Sequence, residues 1–136
     1  MKDMAALEPL DAARLERLND NETRIVDQFI YRYTCLQDAL GQKAFKTLLE
    51  ASQEPLAQGA TFLDRLHALE RLQVLSAEDW ELTRIIRNRL VHEYPDAEKR
   101  LQILRTAMST ARTLTSALTQ IHRIAKEKLG IPRAGH

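Results

Sequence analysis

With one cysteine, Cys35, among 136 residues, the chain has no internal disulfide and no zinc site built on several cysteines. Cys35 falls between Tyr33 and Leu36 in a helical stretch, so a buried structural thiol is expected rather than a nucleophile. Four glycines, four prolines and 5 % aromatics are too few for an all-β chain of short strands and tight turns. No apolar run approaches the roughly 18–20 residues needed to span a bilayer, so no membrane segment is expected. Residues 1–6 hold no apolar signal core, which makes export unexpected and the cytoplasm the expected compartment. There is no Gly-rich phosphate loop, no serine-triad signature and no His/Cys/Asp/Glu cluster with metal-ligand spacing. The site, if there is one, is expected to need no cofactor and no metal.

What is present reads as helix throughout. A hydrophobic content of 44 % with 29 % charged residues suits one globular domain over residues 1–136, with flexible ends at 1–9 and 131–136. Leu15, Leu18, Glu22, Ile25, Phe29, Tyr33, Leu36 and Leu40 recur in steps of three and four along one long helix. Asp11 is placed to start it, Gly41 to stop it, and Asn19-Asp20-Asn21 to interrupt it. A short helix with Phe45, Leu48 and Leu49 inward ends before Pro55, and residues 53–59 form the best loop. Thr61 with Asp64, and Ser76 with Asp79, mark two further helix starts. The last helix runs from about Asp96 to Leu129, its seam formed by Leu101, Leu104, Met108, Ala111, Leu114, Leu118, Ile121 and Ala125, with Gly130 and Pro132 to end it. Helices of this length on short loops predict an all-α fold, an antiparallel up-and-down bundle of four to five.

The net charge of +1 hides a polarity. Residues 97–136 carry eight Lys or Arg against Glu98 and Glu127, a net +6, while residues 1–96 carry −5. Arginine supplies 14 of the 20 basic groups, the side chain whose planar fork matches phosphate. The basic final helix can track a nucleic-acid backbone, or it can be a solvated face docked on an acidic partner.

One segment concentrates chemistry: Arg87-Asn88-Arg89-Leu90-Val91-His92-Glu93-Tyr94, followed by Pro95-Asp96. Proline disfavours helical geometry at Tyr94, so the helix should end near His92. At about 100° per residue, Leu82, Ile85, Ile86 and Leu90 share an apolar arc of about 140° that should face the core. Arg89 falls inside that arc and needs an anionic partner, Glu93 being the local one. Arg87 and Tyr94 lie on one flank, Asn88 and His92 on the other, with Arg87 and His92 about 140° apart. Two copies meeting across a two-fold axis would bring Arg87 of one to His92 of the other, which favours a homodimer with a shared cleft. Such a cleft can act on RNA without a metal. The 2′-hydroxyl is the nucleophile, His92 moves the proton, Arg87 stabilises charge on phosphorus, and Asn88 orients the phosphate or the imidazole. An ordinary charged helix end, with basic residues complementing the dipole, fits the same residues. His67, His122 and His136 rank low as site residues.

The string Arg-Asn-x3-His-x-Tyr, at the end of the penultimate helix of a small all-α chain, resembles the HEPN family. It is most similar to the toxin half of MNT–HEPN toxin–antitoxin pairs and to the related nucleotidyltransferase substrate-binding proteins. The matched residues are Arg87, His92 and Tyr94, with Asn88 in the polar position after the arginine. The resemblance implies a metal-independent ribonuclease acting as a homodimer, with Arg87 and His92 of both chains in one cleft and structured RNA such as tRNA as substrate. It also implies a separate minimal nucleotidyltransferase partner, the antitoxin, which adenylylates Tyr94. A non-catalytic module that presents nucleotide or RNA to such a partner is the alternative, and a purely structural bundle is a third.

Overall fold

The computed structural model describes residues 2–52, 60–92 and 94–129. They are all-helical, with no strand among the described residues. In chain order the helices are α1 (Lys2–Ala5), α2 (Ala12–Glu16), α3 (Asp20–Ala39), a π-helical turn (Leu40–Ala44), α4 (Phe45–Ala51), α5 (Phe62–Arg71), α6 (Ala77–Leu90) and α7 (Ala97–Leu129). The expected loop at 53–59, the stop at Gly130 and Pro132, and the end at 131–136 lie outside the described residues.

The 33-residue α7, about 50 Å long at 1.5 Å per residue, is the element against which α2, α3, α4 and α6 all pack. Its buried positions, Ile103, Leu104, Ala107, Thr110, Ala111, Leu114, Ala117, Ile121 and Ile124, follow the three-and-four spacing of one helical stripe. Three of them are alanines, whose small side chains let neighbouring backbones come close. The one polar pairing across this seam, Tyr33 Oη to Thr110 Oγ1 at 2.8 Å, satisfies both buried hydroxyls. Burial pushes the Tyr33 phenol up from its ordinary value, against the opposing pull of that hydrogen bond.

The helix starts follow the local capping chemistry. Asn19 and Glu22 form a full capping box, as do Thr61 and Asp64, and Ser76 Oγ accepts from the Asp79 N–H at 3.0 Å. Asp11 does start a helix, but only the five-residue α2; the Asn19 box then restarts the chain as α3.

Four expectations need correction. Gly41 does not stop the helix; it sits in the π-helical turn that carries α3 directly into α4. A Cβ on Gly41 would stand 2.7 Å from Trp80 Cζ2, so the glycine serves close approach rather than termination. Cys35 is exposed, on the outward side of α3. Residues 1–9 are not a loose end, because Met4 and Leu7 are only 1 % and 2 % exposed. Arg14 donates to the Leu7 carbonyl and Arg105 to that of Leu10, fastening this arm to α2 and α7. Finally, α6 buries Trp80, Thr83, Ile86 and Leu90, while Leu82 is exposed. The core-facing stripe is therefore rotated from the expected arc, Trp80 and Thr83 replacing Leu82 and Ile85.

Two stability tests follow. Gly41→Val forces two further methyls toward Trp80 and should lower the unfolding free energy in urea by about 2 kcal/mol, whereas Gln42→Val at the exposed neighbour should change little. The Arg14 guanidinium, with help from the Asn19 N–H, holds the Glu22 carboxyl below the ordinary glutamate range. That stabilisation is fully present above the ordinary value and is lost as pH falls through the depressed one. A urea series between pH 6 and acid should show a shallower acid loss for Glu22→Gln than for the wild type.

Candidate functional site

α6 ends one turn before proline intervenes. Leu90 is its last residue, Val91 caps it, and the His92 N–H reaches back to the Arg89 carbonyl at 3.2 Å. Beyond that point the angular bookkeeping of a helix no longer applies. His92 and Tyr94, placed by helical spacing on opposite flanks, have ring centroids 6.3 Å apart in an edge-to-face arrangement. His92 is exposed and Tyr94 is half-buried against the core, with the Lys99 ammonium 4.8 Å from its ring centroid.

Arg87 faces elsewhere. Because the buried stripe of α6 is rotated, Arg87 lies beside it and meets α3. Its Nε and Nη2 donate to the two carboxylate oxygens of Asp38 at 3.0 and 2.8 Å, a bidentate pair. This hydrogen-bonded carboxylate raises the guanidinium further above its already high ordinary value, so Arg87 is a permanent cation whose orientation Asp38 fixes. Its Nη1 makes no hydrogen bond among the described residues. Asn88 and Arg89 are both exposed; Arg89 is not in the core-facing arc, and its expected partner Glu93 lies outside the described residues.

His92 and Tyr94 line a cleft of about 700 Å³ between the α2–α3 arm and the turn from α6 to α7. Leu15, Leu18, Val26, Ile30, Ile103 and Leu104 form its apolar wall, and Arg89, Arg100, Thr23 and Asp27 add polar groups. Arg87 is not among the residues that line it. The structure thus groups His92 and Tyr94 in one cleft and leaves Arg87 on a different side of α6. Asp38, Asp27 and Arg100 escape the sequence reading. Asp38 lies 49 positions from Arg87 and nothing local marks it; for Arg100 the only signal was the basic character of α7. Of the cations on that helix, Arg105 is committed to the Leu10 carbonyl and Glu8, while Arg112 and Arg123 are exposed. No group of three His, Cys, Asp or Glu side chains among the described residues is placed to hold a metal ion.

The Arg87–Asp38 pair is about one-third exposed on both sides, at 30 % and 35 %. Solvent screening limits such a pair, so a double-mutant cycle between Arg87→Gln and Asp38→Asn in urea should return a coupling of about 1 kcal/mol or less. The pair orients Arg87 rather than holding the fold together, and a coupling several times larger would reverse that assignment.

A comparison with known proteins finds no matching family model, no matching curated protein and no matching solved structure.

Proposed function

We propose that the chain is a metal-independent endoribonuclease of HEPN type, the toxin of an MNT–HEPN pair, acting in the cytoplasm as a homodimeric antiparallel helical bundle. The observation that carries this reading is His92: a solvent-facing imidazole beside Tyr94 at a cleft with two guanidiniums in its walls. His92 takes the proton from the ribose 2′-hydroxyl, or returns one to the leaving oxygen, and the hydroxyl attacks the adjacent phosphorus. Arg87, oriented by Asp38 and with Nη1 to spare, stabilises the phosphorane charge. Since Arg87 does not line the His92 cleft of its own chain, the arginine is supplied across a two-fold axis. Leu82 and Val91, 41 % and 56 % exposed near this end of α6, offer apolar surface for that contact.

Adenylylation of Tyr94 by a nucleotidyltransferase antitoxin would set an anion and a base beside His92 and fill the space that RNA needs. The second reading, a non-catalytic module that presents nucleotide or RNA to a nucleotidyltransferase, is favoured by one specific observation. Asp38 already compensates the charge of Arg87, which weakens it as a phosphate ligand.

The two separate in one assay. Purified, unadenylylated protein incubated with total tRNA in EDTA should cleave it, and Arg87→Ala or His92→Ala should each reduce the rate by about 100-fold or more. A folded, unmodified wild type that binds tRNA without cutting it would establish the binding module instead.

A further inference from the structure

The cleft beside His92 holds more than the ribonuclease reading uses. Its volume, about 700 Å³, falls within the roughly 300–1,000 Å³ range of small-molecule sites. Two arginines line it, and among the described residues neither Arg89 nor Arg100 has an ion-pair partner. The Arg100 Nε is closed off from solvent with no acceptor, a state that side-chain donors in folded proteins rarely keep without a ligand or water to answer it. One wall is aliphatic, and the other adds a carboxylate, Asp27, and a hydroxyl, Thr23, from α3. The cleft therefore presents forked cations, an apolar bed and hydrogen-bonding groups together, with a single acid opposing two guanidiniums.

We propose that this cleft binds a nucleoside monophosphate, with its phosphate on Arg89 and Arg100 and its base on the wall formed by Leu18, Val26 and Ile103. The planar guanidiniums match a phosphate monoester. Asp27 and Thr23 accept from ribose hydroxyls or an exocyclic amine, a role that a fatty chain would leave empty. Asp27 also disfavours a longer polyphosphate, because further negative charge would extend toward a carboxylate. Arg87 takes no part, since Asp38 holds it outside the cleft. The inference goes beyond the proposed catalysis and holds whether or not the chain cuts RNA.

The test is a two-dimensional ¹H–¹⁵N NMR titration of the full chain with AMP in EDTA at low salt, with adenosine, inorganic phosphate and dodecyl phosphate in parallel. AMP should give saturable shifts at Arg89, Val91, His92 and Arg100, and adenosine and phosphate should each bind about tenfold more weakly or worse. Arg100→Gln and the exposed Arg89→Gln should each weaken AMP about tenfold, while Arg84→Gln, a charge-matched change elsewhere on α6, should not. The two substitutions guard each other, because Arg89 is exposed and its replacement does not threaten folding. The proposal is overturned if AMP at millimolar concentration moves none of these resonances, or if both folded variants bind AMP like the wild type. Preference for dodecyl phosphate would overturn it in favour of a lipid. With no RNA in the tube, either result stands apart from the ribonuclease assay.

Discussion

Everything in this molecule is arranged around one long seam. α7 runs unbroken from Ala97 to Leu129, and its buried Ala107, Ala111 and Ala117 leave room for α3 and α6 to lie close. Close approach maximises dispersion contacts along the seam, and burial of Leu104, Leu114 and Ile121 adds about 1.5–3 kcal/mol each before entropy is charged against it. Because α6 is locked onto α7, the six residues between them form a short, constrained turn. That turn carries His92 and Tyr94 out of the helix and over the cleft. Packing of the last two helices thus positions the candidate site, although none of the seam residues has any chemistry of its own.

A second constraint comes from the far end of α6. Trp80 lies over Gly41, with Phe45 in edge-to-face contact at 4.8 Å between centroids. This contact requires a glycine within a continuous helix and coincides with the π-helical turn, an irregularity that often marks a place where packing overrides regular geometry. It sets how α3 and α6 face one another, and with that the meeting of Asp38 and Arg87. The pair contributes little to stability, because water screens it from both sides. Its consequence is electrostatic: it fixes one guanidinium in direction while leaving Arg89 and Arg100 unpaired around the adjacent cleft.

Local chemistry was legible wherever neighbours in sequence decide the outcome. The starts at Thr61 and Ser76 and the interruption at Asn19 rest on side chains that reach a backbone N–H three residues away, and each is present. The inward Phe45, Leu48 and Leu49 were equally readable from their spacing. Where the reading failed, a distant partner intervened. Gly41 continues the helix because Trp80, 39 positions on, needs the space of its missing side chain. Cys35 is exposed because the buried stripe of α3 passes through Tyr33 and Gln37. The arm before Asp11 is buried because two arginines, one of them on α7, donate to its carbonyls.

The sequence alone determined that the chain is helical, where most helices begin, and which eight residues concentrate phosphate and proton chemistry. These follow from periodicity, capping and the restriction that proline puts on its neighbour, all of which act within a few residues. Only the tertiary structure decided which of those eight residues share a cleft. His92 and Tyr94 do, and Arg87 does not, because α6 turns its Trp80 and Thr83 side inward and presents Arg87 to Asp38. The rotation of a helix about its own axis is set by the side chains it must bury against other helices, and no local pattern encodes those partners.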